Sequence, residues 1–201
     1  MPRSSANWFT SCMESASSPK DILALVTKAL DRSGVPYMVT GSMASSFHGT
    51  PRTTQDIDIV IAPDRSTLGA LVSELGGPEY YVSREAALEA LDRRSMFNVI
   101  HVERGWKIDF IICKSRAFSQ EEFRRRQEGD FWGTPAFLAT AEDVLIAKLE
   151  WAKAGQSERQ IHDAAGILKA QSDRLDRSYI KRWVRALGLD HEWQAAQGIT
   201  S

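Results

Sequence analysis

Residues 39–61 read VTGSMASSFHGTPRTTQDIDIVI, and the alternation within the last six positions decides the fold. Strands send successive side chains to opposite faces, so Asp56 and Asp58 share one face, with Cα atoms roughly 6.6 Å apart, while Ile57, Ile59 and Ile61 share the other. One face belongs to a core and the other carries paired charge. Two carboxylates about 4 Å apart repel by about 4 kcal/mol at an effective dielectric near 20, so the pair calls for solvent, a proton or a cation. A divalent metal answers that need.

Upstream, the run at 35–40 predicts a short strand ended by Gly41-Ser42. A Gly-Ser turn exposes backbone N–H groups and a hydroxyl to an incoming phosphate. The small residues at 43–48 suit one or two helical turns whose N-terminus would face it. Gly49-Thr50-Pro51 breaks those turns and Pro63 closes the second strand. Downstream, 96–102 and 106–113 read as two strands joined by the turn residues Glu103-Arg104-Gly105. In the later strand Ile108, Phe110 and Ile112 share a face, leaving Lys107, Asp109 and Ile111 on the other, so Asp109 can join the first two acids.

Around this centre, Ile22, Leu23, Val26 and Leu30 mark an amphipathic helix, and Leu68, Leu71, Val72 and Leu75 another. Residues 80–82 suit an edge strand and 86–91 a helix. Beyond Ser119 comes a charged segment containing Arg124-Arg125-Arg126, followed by a short strand at 131–137. From Thr140 onward everything reads as helix: 140–155, opened by a Thr140/Asp143 capping box, then 157–169 and 176–187. The last buries Ile180, Trp183, Val184 and Leu187. Its Arg174, Arg177, Lys181 and Arg185 form a stripe that is by default a solvated face and otherwise a contact for a polyanion such as tRNA.

With 25 basic and 26 acidic residues in 201, the net charge of -1 gives no whole-protein field to draw nucleic acid or an anionic membrane, so any polyanion site must be local. Cys12 and Cys113 lie far apart and suggest neither a disulfide framework nor a zinc site, and the four histidines show no ligand spacing. No apolar run approaches a membrane span and the Ser-rich start lacks a signal pattern. A cytoplasmic protein with no membrane partner is expected. The organisation expected is a mobile leader at 1–18, in which Trp8 and Phe9 are the candidate contacts, a catalytic core at 19–138 and a helical region at 139–201.

Gly41-Ser42, thirteen further residues, Asp56-Ile57-Asp58 and a later strand bearing Asp109 together resemble the signature of the nucleotidyltransferase superfamily of the DNA polymerase beta type. Arg52-Thr53-Thr54-Gln55 and the run EDVLIAKLEWAKAGQSERQIHDAAGIL at 142–168 resemble the AbiEii toxin-like branch of it. The resemblance implies an α/β (α+β) fold, with a mixed β-sheet core, flanking helices and a C-terminal helical lobe. It implies a reaction in which an acceptor hydroxyl attacks the α-phosphate of an NTP and pyrophosphate leaves. Asp56, Asp58 and Asp109 would be catalytic and bind Mg²⁺ or Mn²⁺. Gly41, Ser42, Arg52, Lys148, Arg159 and Asp163 would bind the nucleotide. The acceptor would be tRNA or a protein, and an antitoxin protein would be a partner.

Each residue also has a plainer reading. Lys148 would be a solvated helix side chain, Arg159 and Asp163 a surface ion pair at i, i+4, and Arg52 a loop anchor. Two functional alternatives keep the same fold: a non-catalytic nucleotide-binding or interaction module, and a transferase acting on small molecules such as antibiotics.

Overall fold

The isoleucines of the DIDIVI strand are fully buried and the flanking chain is built around them. The computed structural model describes residues 19–131 and 133–200. The leader, with Trp8, Phe9 and Cys12, lies outside the described residues. The described chain runs α1 (Pro19–Arg32), β1 (Tyr37–Val39), α2 (Gly41–His48), β2 (Asp56–Ile61), α3 (Arg65–Glu74), β3 (Tyr80–Val82), α4 (Arg84–Arg93), β4 (Met96–His101) and β5 (Trp106–Ile112). It continues through α5 (Ala117–Arg125), β6 (Gln127–Phe131), β7 (Thr134–Leu138), α6 (Ala141–Gly155), α7 (Glu158–Gln171), α8 (Arg177–Leu187) and α9 (Asp190–Thr200).

The strands form one mixed sheet in the order β3-β4-β5-β2-β1-β7-β6. β2 pairs parallel with β5 and antiparallel with β1, while β1 pairs parallel with β7. The hairpin expected at 96–113 is present as the antiparallel β4–β5 pair, and Gly105 adopts φ +64° in its turn, a conformation that favours glycine. On one side of the sheet Ile57, Ile59, Ile61, Ile108, Phe110 and Ile112 pack with α1, α3 and α4. On the other, Met38, Val60 and Cys113 join α5 to α9 in a second apolar cluster. The acids of β2 share this second face, at the end the helices leave open.

Two local expectations change. The charged stretch after Ser119 lies largely in α5, a helix that buries Phe118, Ser119 and Glu122. Its high Arg and Glu content hid the narrow apolar stripe. The single strand expected at 131–137 is a hairpin, β6 with β7, because Gly133 turns the chain at φ +86°. Among the described residues no helix is long and apolar enough to cross a membrane.

Candidate functional site

The parallel β2–β5 register sets Asp58 directly opposite Asp109 and Asp56 opposite Lys107. Asp56 is exposed, Asp58 half-buried and Asp109 only 6% exposed. Lys107 Nζ lies 2.7 Å from Asp109 Oδ2, whereas Asp109 Oδ1 is buried with no hydrogen-bond partner. Burial pushes the Asp58 carboxyl above the usual carboxylate range; Asp109 and Asp56 add to the push, and the Ser42 N–H and Lys148 oppose it. The three acids thus run from solvent to interior along one face.

Gly41 stands where β1 gives way to α2, with φ +63°. A Cβ added there would fall 1.9 Å from Asp58 Oδ2, so only glycine lets the turn pass over the carboxylate. Thr40, the N-cap of α2, makes no side-chain cap hydrogen bond. The first N–H groups of the helix therefore stay available, and one of them, Ser42 N–H, donates to Asp58 Oδ2 over a long 3.4 Å. This is the geometry in which a helix N-terminus receives an anion.

A second set of charges faces that turn. Arg52 Nη2 donates to Ser42 Oγ, and Arg52 Nε lies 3.3 Å from Asp163 Oδ1. Asp163 Oδ2 lies 2.8 Å from Lys148 Nζ. Lys148 is only 4% exposed, so the solvated reading does not describe it. Burial lowers the Lys148 ammonium pKa, with Asp163 pulling the other way. Two cations share one buried carboxylate, leaving net positive charge beside the Gly-Ser turn. Arg159 is exposed and is not brought to this group. Asp163 pairs with Lys148 and Arg52, so the surface ion pair with Arg159 is not formed.

Asp58 and Lys148 both line a cavity of about 230 Å³ whose wall also includes Gly41, Ser42, Ile111 and Trp151. Six of its ten lining residues were not singled out from the sequence, among them Trp151 and Gln160. Spacing was the available signal: Trp151 follows Lys148 by three positions and Gln160 precedes Asp163 by three, so each shares a helix face with a residue already singled out.

Thr40, Ile111, Ala147 and Trp151 also line an adjoining chamber of about 90 Å³ that reaches Cys113, Arg116, Glu122 and Glu150. Arg116 closes its outer side with a paired contact to Glu150 at 2.5 and 2.6 Å. Glu122 is buried there, and its carboxyl is pushed up to about 8, first by burial and then by Asp143. The folded state therefore holds a proton that the unfolded chain releases near its ordinary value of 4.5. Stability is expected to fall as pH rises from about 5 to about 8, by roughly 4 kcal/mol at most. Urea denaturation across that range should show the slope in the wild type and a flatter profile in Glu122→Gln.

Among the described residues no group of three or more His, Cys, Asp or Glu side chains is gathered closely enough to hold a metal ion as placed. The donor chemistry nonetheless fits a hard divalent cation. Asp58 and Asp109 present carboxylate oxygens from adjacent strands, Asp109 Oδ1 is orphaned, and Asp56 stands at the exposed end of the same face.

No protein-family model matches the sequence, and no curated protein matches it significantly. Solved structures match in fold. An antibiotic-resistance factor, ANT(2'')-Ia, aligns over 87% of this chain and 96% of its own at 14% identity and a TM-score of 0.56. JHP933 from Helicobacter pylori aligns over 88% of this chain and 75% of its own at 16% identity and a TM-score of 0.50. An antigenic nucleotidyltransferase-like protein from Paracoccidioides brasiliensis covers 88% of this chain and 92% of its own at 14% identity, with a TM-score of 0.49. At these identities the likeness is one of fold: the mixed α/β architecture of this chain matches that of ANT(2'')-Ia and JHP933.

Proposed function

We propose that the protein is a metal-dependent nucleotidyltransferase that moves a nucleoside monophosphate from an NTP to an acceptor hydroxyl and releases pyrophosphate. The observation that carries this reading is the opposition of Asp58 and Asp109 beside the uncapped Gly41-Ser42 helix N-terminus. In this reading Asp58 and Asp109, with Asp56 at the rim, would hold Mg²⁺ or Mn²⁺, which neutralises phosphate charge and acidifies the acceptor hydroxyl. In this reading residues 19–138 supply that core together with Arg52, and 139–201 supply Lys148 and Asp163.

The chain's own groups divide the remaining work. The α2 N–H groups and Ser42 receive the terminal phosphates. Lys148 and Arg52 set positive charge where the leaving pyrophosphate gathers negative charge, and Asp163 fixes both. As the acceptor oxygen bonds to the α-phosphorus, the bond to the bridging α,β-oxygen breaks and pyrophosphate departs. Asp109, with one oxygen unpartnered, takes the acceptor proton. Arg159, exposed in the free protein, is a contact for nucleotide or acceptor once either is bound.

The position of the label tests the reaction class. NTP labelled at the α-phosphate should mark an acceptor, whereas label at the γ-phosphate should appear only in pyrophosphate. The assay is run with Mg²⁺ against RNA, lysate protein and small hydroxyl compounds. No incorporation of α-label into any of them would overturn the reading in favour of a non-catalytic nucleotide-binding module.

The buried Lys148–Asp163 pair supports membership of the AbiEii toxin-like branch, and with it a toxin acting on tRNA or protein and restrained by an antitoxin. Growth arrest on induction of the wild type and normal growth with Asp58→Ala would bear this out. Equal growth of both would count against it.

A further inference from the structure

Helices α6 and α7 lie antiparallel, with Lys148 against Asp163. One helical turn further along α6, and one turn back along α7, come Trp151 and Gln160. Three residues rise about 4.5 Å along a helix, so this second layer lies about that far beyond the charged one. Both residues line the same cavity as Gly41, Ser42, Asp58 and Lys148.

Trp151 is 65% exposed, whereas Trp106 and Trp193 are buried in the packing of the described residues. It stands at the junction of the two adjoining cavities, and the residues common to both, Thr40, Ile111, Ala147 and Trp151, make a largely apolar surface. Gln160 has a complementary need: its Oε1 is buried with no hydrogen-bond partner. An exposed indole above an apolar floor, next to an amide lacking a partner, suits a flat heteroaromatic ring with hydrogen-bonding groups on its edge.

We propose that Trp151 and Gln160 form the nucleobase subsite: the indole of Trp151 stacks on the base against the Ile111–Ala147 surface, and the Gln160 amide reads the base edge. This rests on the nucleotidyltransferase reading and extends it to the recognition of the NTP. The two helix layers divide one ligand between them. Lys148 and Asp163 serve the phosphates, and Trp151 and Gln160 serve the ring. Stacking tolerates any base, so Trp151 contributes affinity and Gln160 preference.

Calorimetric titration of the full chain in Mg²⁺ with each of the four NTPs and, separately, with inorganic tripolyphosphate tests this. Trp151→Ala should weaken NTP binding by roughly 10- to 100-fold while tripolyphosphate binding stays within about twofold. Trp151→Phe should restore most of the NTP affinity. Gln160→Leu should change the order of preference among the four NTPs and leave tripolyphosphate unaffected. An unchanged NTP affinity in Trp151→Ala, or equal losses for NTP and tripolyphosphate, would overturn the subsite. A wild type that binds tripolyphosphate as tightly as any NTP would overturn the subsite and leave the phosphate site standing. A wild type that binds neither would overturn both readings.

Discussion

Asp58→Asn is expected to lower nucleotidyl transfer by at least about a hundredfold to a thousandfold while making the fold more stable. The two effects have one origin. Burial and the facing acids hold the Asp58 carboxyl above its ordinary pKa, so its ionisation at neutral pH works against the native state. Asparagine keeps the shape and can still accept the Ser42 N–H, but removes the charge. A gain in stability at pH 7 follows.

That gain should fade as pH falls through 3.8, the ordinary value, below which the wild-type carboxyl is protonated in folded and unfolded chains alike. Parallel transfer assays and thermal melts separate this outcome from its rival. If activity and stability fall together, Asp58 is a structural residue.

Asp143→Ala is expected to destabilise the protein by about 3–5 kcal/mol without touching the candidate site. Asp143 is fully buried at the start of α6. Its carboxylate accepts from Thr140 Oγ1 at 2.6 Å, Arg125 Nε at 3.1 Å and Tyr179 Oη at 2.5 Å. One anion thus ties α5, α6 and α8 together, and the Arg125 guanidinium also lies 3.9 Å from the Tyr179 ring centroid. Burial, then the bond to Asp143, raises the Tyr179 phenol pKa. Truncation leaves the Arg125 Nε–H and the Tyr179 hydroxyl without their acceptor. Urea denaturation should show the loss, and Tyr179→Phe should lose only about 1 kcal/mol, since the anion keeps its other partners. A loss in Asp143→Ala no larger than that in Tyr179→Phe would count against the tie.

Asp143 also marks how far the sequence could be read. The Thr140/Asp143 spacing pointed to a capping box, and Thr140 does cap α6. Nothing local announced that the carboxylate would be claimed from 18 residues upstream and 36 downstream. The acids on β2 and β5 were legible because strand alternation fixes their faces wherever the strands end up. The Gly41 turn was legible because a glycine at a strand end has few other uses.

What stayed hidden depends on which elements become neighbours. The parallel register sets Asp58 against Asp109, and the fold of the 49–55 loop carries Arg52 to Asp163. The resemblance flagged Lys148 and Asp163, yet their burial as a pair needed the packing of α6 on α7. Arg125 illustrates the same limit. Read as part of a basic run, it is an internal partner, whereas Arg124 beside it stays on the surface with Glu121.

The parallel β2–β5 seam also governs when the site can exist. Asp58 and Asp109 lie 51 residues apart (109 − 58), and a parallel pair cannot close by a local turn. The clamp residues Lys148 and Asp163 come later still. During synthesis the Gly41-Ser42 turn and the first two acids leave the ribosome well before anything that could complete them. Contacts of such long separation form late and set the folding rate. A chain cut short before residue 163 would therefore carry the recognisable motif without the Lys148–Asp163 pair that faces it. The candidate site is assembled only when α6 and α7 have packed against the much earlier Gly41-Ser42 turn.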